Sequence, residues 1–366
     1  MDKENLTYVL SLLQISNVGN VLAKNLIAYC GSARAVFNQK KSHLIKIPGV
    51  GEKIAANILN FKDFSKADAE VAFIEKHKIK PLYFLGDEYP TRLKEIVDAP
   101  VLLFFKGNAN LNQGRVIAVV GTRKATDYGK TACEKLMNDL SEYNPLIISG
   151  LAYGIDYAAH KASLSHGLNT VGVLGHGLDK IYPAAHRSVA VKMVSQGGLL
   201  TEYPSGTAPD REHFPARNRI VAGMVDGVVL VETTRFGGAL ITAEIASSYN
   251  REVFAFPGRS GDEYSSGCNH MIKVNKAYLV ENAEDLVYFL GWQKGKEKPK
   301  VSKWAYNDLS VQQRAIVNLL KEREKAEIDY LTQTLGYSLS QISVLLLDME
   351  FKGILQALPG KCYRLT

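Results

Sequence analysis

The 366-residue chain is 46% apolar and 22% charged, with a formal net charge of +7. These are ordinary values for a globular protein and argue against disorder, while the basic balance favours a polyanionic partner only weakly. The length exceeds what one hydrophobic core organises, so two or three domains are expected, and no apolar run is long enough to span a bilayer.

The segment Met1 to Leu13 carries acids and lacks a basic region and a small-residue cleavage site, so no signal peptide is expected. Cys30, Cys133, Cys268 and Cys362 lie far apart with no CxxC pair, which predicts free thiols in a reducing compartment and no zinc site. The expected location is the cytoplasm.

Residues 1–75 read as short helices. Two similar glycine-broken hairpins occur, ISNVGNVLAKNLI (Ile15 to Ile27) and IPGVGEKIAANIL (Ile47 to Leu59). Each would present backbone N–H groups at a helix start, where phosphate oxygens are favoured. The spelling resembles the helix-hairpin-helix pattern, although the first copy lacks the proline and one glycine. A DNA-contacting domain and a plain helical packing or protein-contact domain both remain open here. Pro81 to Asn108 reads as a connection, with Val101 to Phe105 after Pro100 predicted as an edge strand.

Residues 76–291 are expected to form the central domain. From Arg115 onward, strands and helices alternate. Predicted strands are Val116 to Val120, Leu146 to Gly150, Val171 to Gly175, Leu199 to Tyr203, Val228 to Glu232, Val253 to Pro257 and Ala277 to Glu281. Most are continuous apolar runs, as parallel strands covered on both faces require. The prediction is an α/β, doubly wound, mostly parallel sheet, whose ligands sit in loops at the carboxyl ends of strands.

Residues 292–306 include WQKGKEKPKVSK and read as a lysine-rich solvated linker. In residues 307–366, helices are expected at Leu309 to Lys321, Ile328 to Leu335 and Ser338 to Phe351, with Ser338 as N-cap and a short hairpin closing the domain. That is the winged-helix outline. Its third helix is neutral to acidic, so a protein contact is as well supported as groove reading.

The strand-end loops carry the chemistry. Gly121 permits a tight turn, Thr122 and the following amides can donate to phosphate, and Arg123 offers a forked cation. The later GKT at Gly129 to Thr131 is no Walker A loop, because seven residues rather than four separate the glycines. SGLAYGID (Ser149 to Asp156) is another glycine-rich turn, with Asp156 placed to cap the next helix and Tyr153 free to stack on a base or to pack. In GHGLDKIYPAAHR, Lys180 and Arg187 extend the basic lining. His176 and His186 lack metal-ligand spacing, so no metal and no cofactor are expected. Arg217, Asn218 and Arg219 cluster in HFPARNRIVAG, and Gly237 and Gly238 open a helix as a further anion site.

Taken together, GTR, SGLAYGID, GHGLDKIYP, FPARNRIVAG and GGALITAE resemble, in that order, the DNA-processing protein A family (DprA, also called Smf). The resemblance covers nearly the whole chain. It implies an extended Rossmann domain that binds single-stranded DNA without altering it, a homodimer, and loading of RecA recombinase during natural transformation. It further implies that the backbone around Gly121, Thr122, Ser149 and Gly150, with Arg123, Arg187, Arg217 and Asn218, holds DNA phosphates. Tyr182 and Phe214, like Tyr153, are candidate base-stacking rings. A competing enzymatic reading comes from FGGALITAE, which resembles the GGxGTxxE motif of nucleotide-cleaving phosphoribohydrolases through Glu244. Leu240 and Ile241 replace that motif's Gly and Thr.

Overall fold

The computed structural model describes residues 1–292, 309–323, 325–352, 354–358 and 362–365. The chain divides into two compact units, Met1–Gln293 and Lys294–Thr366. Most of the predicted linker lies outside the described residues. Its first residue, Trp292, is instead buried against the core of the first unit.

The first unit is built on nine strands: β1 (Lys80–Tyr83), β2 (Leu102–Gly107), β3 (Val116–Gly121), β4 (Leu146–Ser149), β5 (Thr170–Val173), β6 (Gly197–Thr201), β7 (Gly227–Val231), β8 (Glu252–Ala255) and β9 (Tyr278–Leu279). Their order across the sheet is β1-β2-β6-β5-β4-β3-β7-β8-β9. β3 through β9 run parallel, whereas β1 and β2 join β6 antiparallel at one side. The predicted α/β doubly wound sheet is therefore present.

Why these runs are continuously apolar is visible in β3. Val116, Ala118 and Val120 face one core, while Ile117 and Val119 face the other. β7 repeats this, with Val228 and Leu230 on the first face and Val229 and Val231 on the second. Both faces are covered by helices, so no alternation with polar residues survives.

One strand assignment needs correction. Val101 to Phe105 was expected at the sheet edge, but β2 is an inner strand between β1 and β6. The edge is β1, and it carries the proline: Pro81 pairs opposite Phe104, where the missing N–H costs least. A four-residue strand containing proline carries too little pattern to predict.

The N-terminal helices share a core with this inner strand. Leu6, Val9, Leu26, Ile58 and Val71 pack in one cluster with Val101, Leu102 and Phe104. Both hairpins have the same backbone device. Asn17 and Gly49 take positive φ values (67° and 86°), and Gly19 and Gly51 then cap helices Asn20–Cys30 and Glu52–Asn60. Asparagine is the side-chain-bearing residue that best tolerates this conformation, so the first hairpin keeps its shape without the second glycine.

In the second unit, helices Val311–Arg323, Ile328–Leu335 and Leu339–Phe351 pack around Ile316, Leu320, Leu331, Ile342 and Met349. Ser338 caps the third helix in a reciprocal box with Gln341, as its spelling predicts. β11 (Leu355–Leu358) and β12 (Cys362–Leu365) form the expected hairpin. A short strand β10 (Lys325–Glu327), absent from the sequence reading, pairs with β12. Among the described residues no helix is long and apolar enough to cross a membrane.

One buried histidine makes the fold pH-sensitive. His160, in helix Ile155–Ser165, is fully buried, with Nδ1 2.6 Å from Thr170 Oγ1. That hydroxyl donates to Ile147 O, so it accepts from His160 Nδ1–H. Burial, with His186 and Arg217 adding repulsion, pushes the imidazole down to about 3. Below pH ~6.5 the unfolded chain takes up a proton that the folded chain refuses, so stability falls as pH drops towards 3. Between about pH 7.5 and about pH 5, this residue should remove about 2 kcal/mol of stability, read from urea midpoints. A His160→Gln variant should lack that component.

Candidate nucleic-acid interface

The connectivity creates a crevice. From β3 the chain steps outward through β4, β5 and β6. It then returns by helix His213–Gly223 to β7 on the other side of β3. The carboxyl ends of β3 and β7 thus part at a topological switch point, where doubly wound sheets bind ligands. A cavity of about 630 Å³ opens there.

Its walls come from strand-end loops and the return helix. Gly121 ends β3 and Thr122 and Arg123 follow it, Gly150 and Ala152 follow β4, and Tyr182 comes from the loop after β5. Thr233 and Thr234 follow β7, with Gly237 and Gly238 starting the next helix. Arg211, Phe214, Arg217 and Asn218 come from the return helix and the turn before it. Gly121 is required by close approach, because a Cβ there would fall 2.1 Å from Val231 O. The loop after β3 is tied to β7 at its base. Thr122 N donates to Glu232 O at 2.7 Å, and Thr126 N donates to Glu232 Oε2 at 2.9 Å.

Two largely buried charged side chains, Arg217 and Asp156, form part of the cavity lining. Arg217 Nη1 donates to Gly150 O (2.7 Å) and to Val173 O, joining the ends of β4 and β5. Asp156 Oδ2 accepts from Gly150 N (3.1 Å) and Ala152 N (3.3 Å). Asp156 therefore holds the preceding loop, and the helix-capping role expected from its position is not what it does. Burial raises the Asp156 carboxyl above its usual range against the pull of Arg217. Burial likewise lowers Arg217 to about 10, opposed chiefly by Asp156.

The expected cluster Arg217, Asn218, Arg219 is divided by the helix. Arg217 and Asn218 line the cavity, but Arg219 turns away and pairs with Glu202, itself held by Asn20 of the N-terminal helices. Ser149 is buried below, donating to Val119 O at 2.7 Å. Lys180, beside Asp179 at 3.9 Å, and Arg187 are exposed but outside the cavity lining. The remaining predicted residues, Gly121, Thr122, Arg123, Gly150, Gly237 and Gly238, all line it.

The sequence reading missed Arg211, Thr233, Thr234 and Thr242. Arg211 stands two residues before HFPARN, and Thr233 and Thr234 follow the carboxyl end of a predicted strand, so position alone could have signalled them; Thr242, inside helix Gly238–Ser248, carried no such signal. The aromatic candidates separate. Tyr182 and Phe214 line the cavity as a stacked pair at 5.9 Å, with Arg123 over the Phe214 ring at 5.8 Å. Tyr153 lies edge-on to His186 at 4.8 Å.

Electrostatically the cavity is cationic. Exposed Arg123 and Arg211 add to buried Arg217, against Asp156 alone. Helix Gly238–Ser248 begins here without a side-chain cap, so its first amides and its dipole face the cavity. Glu244 is exposed and outside the lining. The carboxylate required by the enzymatic reading is therefore not at the anion site. Among the described residues, no group of three or more His, Cys, Asp or Glu side chains is placed to hold a metal ion.

Fold and cavity together define a doubly wound α/β protein with a cationic cavity at its switch point, preceded by a tandem of helical hairpins. Residues 80–291 match the DNA recombination-mediator protein A family, to which the chain belongs, and residues 9–61 match the SAM-like helix-hairpin-helix tandem. The chain is 38% identical to DNA processing protein DprA of Streptococcus pneumoniae, over 69% of this chain and 96% of that protein. It is 32% identical to protein Smf of Escherichia coli, over 89% of each. The crystal structure of the S. pneumoniae protein superposes with a TM-score of 0.67 at 36% identity, covering 77% of this chain and 97% of that one. DNA processing protein A of Helicobacter pylori, whose single-stranded DNA binding mode has been determined structurally, superposes at 0.53 with 27% identity, covering 58% and 95%.

The Asp156–Arg217 arrangement predicts a clear stability phenotype. Asp156→Ala should cost about 3–5 kcal/mol in urea unfolding, because it strands a buried guanidinium and two amides. Adding Arg217→Met removes the stranded charge but also leaves Gly150 O and Val173 O without that donor, so the double variant should cost less than the sum of the singles without returning to the parent's stability.

Proposed function

We propose that this chain binds single-stranded DNA through the switch-point cavity and holds it without chemical change. The observation that carries this reading is the convergence of Arg123, Arg211 and an uncapped helix start at Gly238 on one open cavity. Several separated anion positions suit linked phosphates better than one nucleotide. Gly121, Thr122, Arg123, Gly150, Asn218, Gly237 and Gly238 are the direct contacts in this proposal. Lys180 and Arg187 act from outside as longer-range attraction, while Ser149, Arg217 and Arg219 shape the site. Tyr182 and Phe214 offer base-stacking faces. A duplex cannot lower both its phosphates and its paired bases into a recess of this size, which gives the preference for single strands.

In the cell, this reading makes the protein a keeper of incoming single strands during natural transformation. It passes them to RecA recombinase, acts as a homodimer in the cytoplasm, and uses its C-terminal unit as a winged helix. The family membership supports these finer steps by analogy.

Arg123→Glu should weaken single-strand binding about tenfold or more at low salt. It should also flatten the log–log salt slope by about 0.7 for each phosphate that is no longer neutralised. Arg323→Glu in the C-terminal unit should have a far smaller effect. Gel shifts of single strand and duplex over a salt series measure both. Equal affinity for the two DNA forms, or a worse defect in Arg323→Glu, would refute the proposal.

A further inference from the structure

The turn after β7 has a feature that phosphate binding does not use. Gly237 N donates to Thr234 O at 3.0 Å, closing a four-residue turn with Arg235 and Phe236 at its tip. The base of this turn is fixed. Gly267 N donates to Thr233 O at 2.8 Å, and a Cβ on Gly237 would lie 2.2 Å from Thr233 Oγ1. Thr233, Thr234 and Gly237 all line the cavity. Arg235 is engaged sideways, its Nη2 donating to His270 Nδ1 at 3.3 Å. Phe236 is 98% exposed, more than any other large apolar side chain among the described residues.

Turn tips favour glycine, asparagine, aspartate and serine, which satisfy the backbone or tolerate its geometry. A phenyl ring gives this turn neither benefit and finds no packing within the unit. Isolated exposed apolar residues are common on protein surfaces and by themselves signify little. This one differs in its placement, because it stands at the tip of a pinned turn whose Thr234 and Gly237, two residues before it and one after, line the cationic cavity that also contains the Tyr182–Phe214 stack. A ring with a free face, no hydrogen-bonding group and little freedom of its mount suits the flat face of an unpaired base, whatever the base.

We infer that Phe236 is a stacking platform for one base of a single DNA strand whose phosphates occupy the cavity, an inference that rests on the single-strand reading above. The strand then crosses the cavity mouth with bases on two aromatic stations, Phe214 with Tyr182 and Phe236. Because stacking reads no base edge, the platform adds affinity without sequence preference.

The test uses the full-length chain with Phe236→Ala and Phe236→Trp. The probes are an oligothymidylate of about 20 nucleotides and an abasic strand of the same length. Phe236→Ala should lose about tenfold in affinity with an unchanged salt slope, since no cation is removed. Phe236→Trp should keep the parent's affinity, and the thymidylate but not the abasic strand should quench its added indole fluorescence. The inference is overturned if Phe236→Ala binds within about twofold of the parent and the indole stays unquenched, while the parent binds single strands with a steep salt dependence. That result would instead fit a ring reserved for a protein surface. Failure of the underlying reading looks different, and it removes this inference as well: the parent itself shows no preference for single strands and Arg123→Glu changes nothing.

Discussion

Gly150 has both its backbone polar groups held by buried charges: its N–H donates to Asp156 and its carbonyl accepts from Arg217. The arrangement of the cavity depends on this. Two buried opposite charges contribute little stability by their attraction alone, because desolvation offsets it. Here the two charges also satisfy main-chain groups at the ends of β4 and β5, which a glycine-rich turn cannot pair within itself. Removing either charge would orphan backbone as well as the opposite charge. The turn is thereby fixed before any ligand arrives, and a fixed anion site spends less of its binding energy on ordering.

That constraint explains the division of labour among the basic residues. Arginines two residues apart take unrelated tasks because a helix turns about 100° per residue and so sends them to nearly opposite sides. Arg217 points down into the sheet ends, and Arg219 points back to Glu202 and the N-terminal helices. The exposed cations, Arg123 and Arg211, come from loops, where a side chain has no core to fill. Arg123 lies over the Phe214 ring, which limits its freedom and leaves its charge facing the cavity. A net positive cavity is thus built with one buried arginine serving as scaffold and two exposed arginines on its wall.

How much of this could be read in the sequence follows from the same physics. The parallel strands were legible because burial on both faces erases alternation and leaves plain apolar runs, as in Val116 to Val120 and Val228 to Val231. Ser338 announced its helix through a local rule, the preference for serine at an N-cap, and the structure adds the reciprocal bond with Gln341. Failures occurred where partners are distant in sequence. β1 is four residues long and exists only because β2 offers an edge to pair with, and β10 exists only beside β12. In the site, the glycine loops were legible because backbone approach leaves a mark on residue type. Whether an arginine pointed inward or outward was not, since Arg219 is committed by Glu202, Arg217 by Val173 and Gly150, all remote in sequence.

The C-terminal unit shows the same logic in reverse. Its third helix, Leu339–Phe351, buries Ile342, Leu346 and Met349 and exposes Leu339, Val344, Leu347 and Phe351. The helix itself contains no lysine or arginine, and Lys352 just beyond it is paired with Asp348 at 2.6 Å. A groove-reading helix needs cations or amide donors along its outward face to reach phosphates and base edges. The exposed residues are Leu339, Val344, Leu347 and Phe351 together with Ser340, Gln341, Ser343 and Glu350, an apolar and neutral-to-acidic surface without a cation. Exposed arginines and an uncapped helix start converge instead in the first unit, at the cavity where the proposed function locates the DNA.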